Sequence, residues 1–562
     1  SAVAEKETLL ELIAAQDFLN EVEGNPRFAA TVMGKLVHRL RGITSQHFDH
    51  IGMAAGDDPM LNDPVLPQPG SEPPKEDSTT GLSGDGDAQG DDQPDTGSAA
   101  KKRGAKAAAT ASPAAASQLA TPSGPTRSSS NDAQQVLNGT IILPKLHGDS
   151  DGHIAAAIAT ILKGCPGLTV IGTTKPVGSP GDFDDPLLLA EMGVEARELL
   201  ASHRASLALC GRVNNFDEND CTLLLVNPWP DDEGRLGGVS LHDRLELSGD
   251  FLNNDADFIR AIVLAATQLD GSAAATSLQG YMPRSFNEAL QSGILNTPGK
   301  SGQRRARNLA CFGNAAAKTS LLVRNGQWIH EAVDAFRRAL TSLQPEDRLD
   351  RASINLHLAV CLSALGDRSK DLDVLAEAQE ACETATSLFR PESERIQLLT
   401  AFARLGAIRY RMGVVNMQEE TCRQGVDAFQ AALTLCDRTR MADQWADVMN
   451  GMGQILQLYG RLTRKTDLLT WAVKVSMSAL EVRTRDHNPL GWARTQNNLG
   501  TAQYLLGQLT GSETNLKAAI QAFDAATEVF DSFRNPYMSE MAVRNRSAAI
   551  KLLDRISAQN GA

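Results

Sequence analysis

The eight cysteines of this chain form no C-x-x-C pair and no Cys/His cluster at zinc-ligand spacing, which removes the usual small metal folds from consideration. Cys165, Cys210, Cys221, Cys311, Cys361, Cys382, Cys422 and Cys436 mostly fall at apolar positions of expected helices or strands, where a free thiol behaves as a small buried hydrophobe in a reducing compartment. Long hydrophobic runs are missing too: no stretch of about 18 apolar residues exists, so no membrane span is expected. Ser1 to Gln16 is acidic and amphipathic and lacks a basic segment followed by an apolar run, so no secretory signal is expected and the cytoplasm is the expected location. There is no surplus of basic residues. A net charge of −14 argues against a dedicated nucleic-acid binder and favours solubility. Aromatic residues make up only 5%, and abundant alanine suits closely packed helices. No nucleophile–base pairing and no metal-ligand cluster is recognisable, so neither a catalytic residue nor a cofactor nor a metal is expected.

What is present divides a 562-residue chain into several parts. Residues 1–45 read as a helical hairpin. Leu9, Leu12, Ile13 and Leu19 recur at helical spacing, Gly24-Asn25-Pro26 breaks the pattern, and Phe28, Val32, Leu36, Leu40 and Ile43 form a second stripe. So small an element needs a partner surface, in this chain, in a second copy through residues 5–43, or in another protein. Residues 54–135 read as a disordered linker, acidic in its first half and basic around Lys101-Lys102-Arg103, with too little apolar surface to offset the entropy of ordering.

Residues 138–272 alternate short apolar runs with helical patterns. Strands are expected at Thr140–Leu143, Leu168–Ile171, Ser206–Cys210, Cys221–Val226 and Leu241–Leu247, and helices at Ile154–Leu162, Leu187–His203 and Phe258–Leu269, giving a mixed α/β domain. The run Ile141-Ile142-Leu143-Pro144, the polar turn His147-Gly148-Asp149, then Pro166-Gly167-Leu168-Thr169-Val170-Ile171 and Ala208-Leu209-Cys210-Gly211-Arg212-Val213 resembles the amino-terminal α/β domain of TolB-type proteins. That resemblance covers about a quarter of the chain and implies a non-catalytic interaction module. The chain departs from the pattern in having no following propeller repeats.

Residues 303–562 keep a fixed beat. Gly366, Gly413, Gly460 and Gly507 are each 47 residues apart, as are Ala359, Gly406, Gly453 and Gly500 (to within that same step), and Ala385, Ala432, Ala479 and Ala526. A constant period of this size marks an array of helical hairpins, each unable to bury its apolar face alone. In each unit a first helix, A, carries the glycines. A second, B, carries small and large residues at i, i+4, i+7: Ala332, Phe336 and Ala339; Ala378, Cys382 and Ala385; Gly425, Phe429 and Ala432; Ala472, Ser476 and Ala479; Ala519, Phe523 and Ala526. This resembles the tetratricopeptide repeat, whose unit is about 34 residues. The extra residues are expected between the helices, as in Gln508–Leu516, and after helix B, as in Asp486–Leu490. Trp445 and Trp492, also 47 apart, read as packing anchors near helix starts. Ser539 to Ile556 has no partner helix and is expected to cap the array.

The resemblance implies a groove lined by helix A positions, here Tyr410, then Asn450, Gln454 and Gln457, then Arg494, Asn497, Thr501 and Tyr504, whose polar groups would hydrogen-bond a protein partner or a peptide segment lying in the groove. Other candidates are weaker. Gly299-Lys300-Ser301 lies one residue too far from Gly293 for a phosphate-binding loop, and no strand precedes it. Asp151 reads as a helix cap, although the stretch from Gly148 to His153 offers a helix N-terminus; Asp182, Asp184 and Asp185 read as N-terminal caps. The expected fold is therefore multi-domain, a mixed α/β domain followed by an all-α solenoid. The expected role is a non-enzymatic scaffold or adaptor. The alternative is a regulator whose α/β domain binds a small ligand and whose repeats relay the signal.

Overall fold

In the computed structural model, strands and helices alternate from Thr140 to Val213, two further strands and a helix complete the stretch to Ala266, and among the described residues helices alone follow. The residues described are 139–179, 181, 183–213, 220–229, 234–247, 251, 255–267, 271–291, 294–295, 302–323 and 326–560. The expected hairpin at 1–45, the linker at 54–135, Asp182 and the Gly299-Lys300-Ser301 stretch lie outside them.

The sheet is built from β1 (Thr140–Pro144), β2 (Thr169–Thr173), β3 (Leu207–Val213), β4 (Cys221–Val226) and β5 (Arg244–Leu247), in the order β2-β1-β3-β4-β5. β2 and β3 flank β1 in parallel, and β4 and β5 continue antiparallel. Helices α1 (His153–Lys163) and α2 (Pro186–His203) make the two parallel crossovers, and α3 (Ala256–Ala266) follows the sheet. Alternation along the strands sorts the core onto two faces. Ile141, Leu143, Leu207, Leu209, Leu223 and Leu225 pack with Ile158 and Leu162 of α1 and with Phe258 and Ile262 of α3. Ile142, Ala208, Cys210, Leu224 and Val226 pack with Leu189, Met192, Ala196 and Leu200 of α2. The expected strands and helices of this region are present within a few residues, with β5 shortened because Leu241 to Asp243 form its lead-in turn. α4 (Gly271–Gln291) follows in a stretch to which the sequence pattern assigns no element. One local reading changes: Asp149, not Asp151, caps α1 by accepting from the Ile154 and Ala155 amides at 3.3 and 2.9 Å. Asp185 caps α2 through the Leu187 amide, as expected.

The array comprises A helices α5 (Gly302–Val323), α7 (Arg348–Ser369), α9 (Arg395–Asn416), α11 (Ala442–Thr463), α13 (Pro489–Thr510) and α15 (Pro536–Asn560), alternating with B helices α6 (Gln327–Thr341), α8 (Leu372–Leu388), α10 (Glu419–Leu435), α12 (Thr466–Val482) and α14 (Glu513–Ser532). The origin of the long period differs from the expectation. The added residues lengthen the helices, since α7, α9, α11 and α13 each have 22 residues and the turn into helix B is only two residues. The glycines lie inside helix A and serve close packing. A Cβ on Gly406 would stand 2.8 Å from the ring of Phe429, and one on Gly451, in the next A helix, 2.7 Å from the same ring. Phe336 meets Gly313 and Phe523 meets Gly500 in the same register, while Leu375, Leu469 and Leu516 fill the space at Gly366, Gly460 and Gly507.

The two-residue turn has its own period. Its first residue is left-handed at Lys370, Met417, Arg464 and Gly511, with φ of 56°, 54°, 54° and 69°. Only the last is the residue this conformation prefers. Met417→Gly and Arg464→Gly are each expected to stabilise the array by about 0.5–1 kcal/mol net of the unfolded-chain entropy that glycine adds, read as a higher urea midpoint at unchanged slope. Gly511→Ala should shift the midpoint the other way.

Candidate functional site

Arg307, on α5, ties the sheet to the array. Its guanidinium donates to Asp350 Oδ1 and Oδ2 (both 3.1 Å) on α7, to Glu246 Oε1 (3.0 Å) on β5, and to Asp184 Oδ1 (2.6 Å) before α2. Arg244 donates to the same Asp184 oxygen at 2.6 Å, and Gln303 to Asp350 at 2.7 Å. One residue along α5, the Asn308 side chain accepts from the Glu246 amide (2.8 Å) and donates to its carbonyl (3.0 Å), so α5 satisfies the open edge of β5. The loop before β5 reaches further. Asp243 Oδ2 accepts from Asn314 of α5 at 2.9 Å and lies 3.1 Å from His357 Nε2 of α7, and Gly234 abuts Thr400 and Arg404 of α9. The sheet domain is thus seated on the A helices of the first three hairpins.

The expected partner-lining residues occupy the A helices beyond that seat. Asn450, Gln454 and Gln457 (α11) and Arg494, Asn497, Thr501 and Tyr504 (α13) are all 5% exposed or less, and Tyr410 on α9 is half-buried. The expectation of an open polar lining is corrected for those seven. Part of the row is spent between neighbouring A helices: Asn498 Nδ2 donates to Asn450 Oδ1 (2.8 Å), Asn545 Nδ2 to Asn497 Oδ1 (3.2 Å), and Gln457 Nε2 to the Asn498 carbonyl (2.9 Å). Thr501 bonds back to the Asn497 carbonyl at 3.0 Å. Asn498 and Asn545 were not singled out from the sequence, although Asn450 and Asn497, and Asn498 and Asn545, keep the 47-residue step. Among the described residues, Gln457 Oε1, Asn497 Nδ2 and Asn498 Oδ1 are buried with no hydrogen-bond partner. The outer surface repeats as well. Arg438 lies over Trp445 and pairs with Glu481, and Arg485 lies over Trp492 and pairs with Glu528, two copies of one exposed arrangement 47 residues apart.

In the sheet domain, the order of strand addition reverses about β1, with β2 on one side and β3 on the other, so the carboxyl ends of β1 and β3 are where this class of sheet offers a ligand crevice. Asp149, Asp151 and His153 follow β1, with one ligand atom of each within 4.8 Å of the others. His153 Nδ1 is 2.8 Å from Asp151 Oδ1, which holds the Asp151 carboxyl below its usual pKa, and buried Asp149 is engaged as the α1 cap. The thiols are not poised for attack: burial pushes Cys210 and Cys382 up to about 12.

His242, beside the Arg307 cluster, is buried with Nδ1 unpartnered. Burial, followed by the positive charge of Arg244, depresses it to about 4, against the pull of Asp350, Asp243 and Glu394. A depressed folded pKa means the folded state resists a proton that the unfolded chain accepts. Stability is therefore full above the ordinary value of 6.5 and falls as the pH drops from there to about 4, by roughly 3 kcal/mol in total. His242→Leu should flatten that part of the acid limb in urea titrations between about pH 7 and pH 4.

No family model matches the chain, and no curated protein matches it. Among solved structures the chain is similar to a circular tandem repeat protein with novel repeat topology and enhanced subunit contact surfaces, at 14% identity and a TM-score of 0.22, over 56% of this chain and 87% of that one. A likeness at that score carries no argument here. No helix among the described residues is long and apolar enough to cross a membrane.

Proposed function

We propose that this protein is a non-enzymatic scaffold or adaptor that works by protein–protein interaction through its helical array, with the domain resembling the TolB amino-terminal domain locked to one end. The observation that carries this reading is the array itself. One internal packing rule, glycine in helix A against Phe or Leu in helix B, recurs along it and builds an extended stack of hairpins, the architecture that binding arrays share. The tetratricopeptide resemblance supports the same role, with Tyr410 the member of the expected row that stays nearest the surface. The seven buried members would meet a partner only where the A helices part, and the spare hydrogen-bonding capacity of Gln457, Asn497 and Asn498 is what such a partner's backbone would use. Cross-linking of the full chain in cell extract, followed by mass spectrometry, tests the role. Partner cross-links concentrated on α5 to α15 support it; partners cross-linked solely outside the array would defeat it. The full chain is required, because removing the sheet domain would expose Arg307 and Asp350.

A second reading, a ligand-binding regulator, is favoured by one observation, the convergence of Asp149, Asp151 and His153 at the switch point of the sheet. Thermal melts of the full chain with divalent cations and nucleotides discriminate the two: a shift abolished by Asp151→Ala supports the regulator, and unchanged melts remove it.

A further inference from the structure

We infer that the exposed face of α15 pairs antiparallel with the same face of a second copy, making a two-fold dimer. In register with the array, this is the face on which a B helix packs elsewhere. α13 offers Ala493, Gly500 and Gly507 to α14, and the residues 47 further on are Glu540, Ser547 and Asp554, all exposed. A helix with Phe and Leu at the B positions has no holes to enter there, so α15 does not accept another hairpin of this type. Yet the surface is not that of a plain solvated end. Phe533, Tyr537 and Val543 are 48%, 61% and 44% exposed, which places three of the chain's exposed large hydrophobics at this end of the array.

The charges decide the occupant. Along the exposed face run Tyr537, Glu540, Val543, Arg544, Lys551 and Asp554. Glu540 and Lys551 have no ion-pair partner among the described residues. Laid against a reversed copy with the two-fold axis near Asn545 and Arg546, Glu540 meets Lys551 of the second copy. Tyr537 stands level with Asp554 of that copy across the seam, and Val543 falls on the same flank as its Ile550. Each contact occurs twice, as an isologous interface requires. A parallel pairing would set Glu540 on Glu540 and Lys551 on Lys551, which like-charge repulsion opposes.

Sedimentation of the full chain tests this. The mass should rise from 60.1 kDa toward twice that value as concentration increases from about micromolar to hundreds of micromolar, the range expected of a small interface. Glu540→Lys and Lys551→Glu should each weaken association by about tenfold, and the double reversal should restore it, because the two changes lie across the interface from one another. Tyr537→Asp with Val543→Asp should leave a monomer of unchanged helicity. A chain monomeric throughout overturns the proposal. So does a dimer indifferent to either single reversal or not restored by the double one, since association would then run through another surface such as residues 5–43.

Discussion

Phe429→Ala is expected to lower the stability of the array by about 3–5 kcal/mol. The ring is 1% exposed and lies between two backbones, that of Gly406 in its own hairpin and that of Gly451 in the next. Truncation leaves a void bounded on two sides by glycines, which have no side chains to move into it, so the site cannot collapse. The complementary change, Gly406→Val, fails for the opposite reason: its Cβ alone would stand 2.8 Å from the ring. The two defects should not rescue one another fully, because the valine fills only the Gly406 side. Ser476 makes the internal control. It occupies the Phe429 position one hairpin later, against Gly453, and its hydroxyl already bonds back to the Ala472 carbonyl at 2.9 Å. Ser476→Ala should therefore cost less than about 1 kcal/mol. Urea unfolding of the three variants checks the series, and a Phe429→Ala loss no larger than that of Ser476→Ala would refute the wedge.

The glycine period was legible because a close backbone approach admits one residue type, so Gly366, Gly413, Gly460 and Gly507 announce it directly. The two-residue turns were not, because Lys370, Met417 and Arg464 adopt the left-handed conformation without the glycine that would signal it. Even where Gly511 supplies that signal, Gln508–Leu516 reads as inserted loop, although its residues end helix A and begin helix B on either side of a two-residue turn. The α/β strands were legible from their apolar runs and β-branched residues. The seat of that domain on the array was not, because it rests on pairs such as Arg307 with Asp184 and His357 with Asp243, whose partners are distant in sequence and carry no periodic signal. The burial of the candidate row was not legible for a related reason. Asn450, Asn497 and their neighbours are placed in a groove by the family resemblance, but amides on adjacent A helices pair across the seam, as Asn498 does with Asn450 and Asn545 with Asn497, and no residue type announces that approach.

Arg307→Ala should cost about 3–5 kcal/mol, and most of that is the charge it strands rather than the attraction it removes. In the folded chain, burial opposes the Arg307 charge, but Asp350, Asp184 and Glu246 outweigh burial and hold its pKa above the ordinary arginine value. Remove the guanidinium, and Asp350, with a side chain only 5% exposed, keeps Gln303 as its recorded donor while Glu246 keeps Thr222. Asp184 suffers least, since it is 51% exposed and retains Arg244. One further measurement separates stranded charge from lost packing. Asp350→Asn introduced into Arg307→Ala should recover part of the loss, so the pair should be strongly non-additive in a double-mutant cycle. If the two substitutions simply add, or if Arg307→Ala costs under about 1 kcal/mol, the cluster does not hold the sheet domain to the array. If they couple as expected, the domain and the first three hairpins unfold together, and the surface left for a partner is that of the later hairpins.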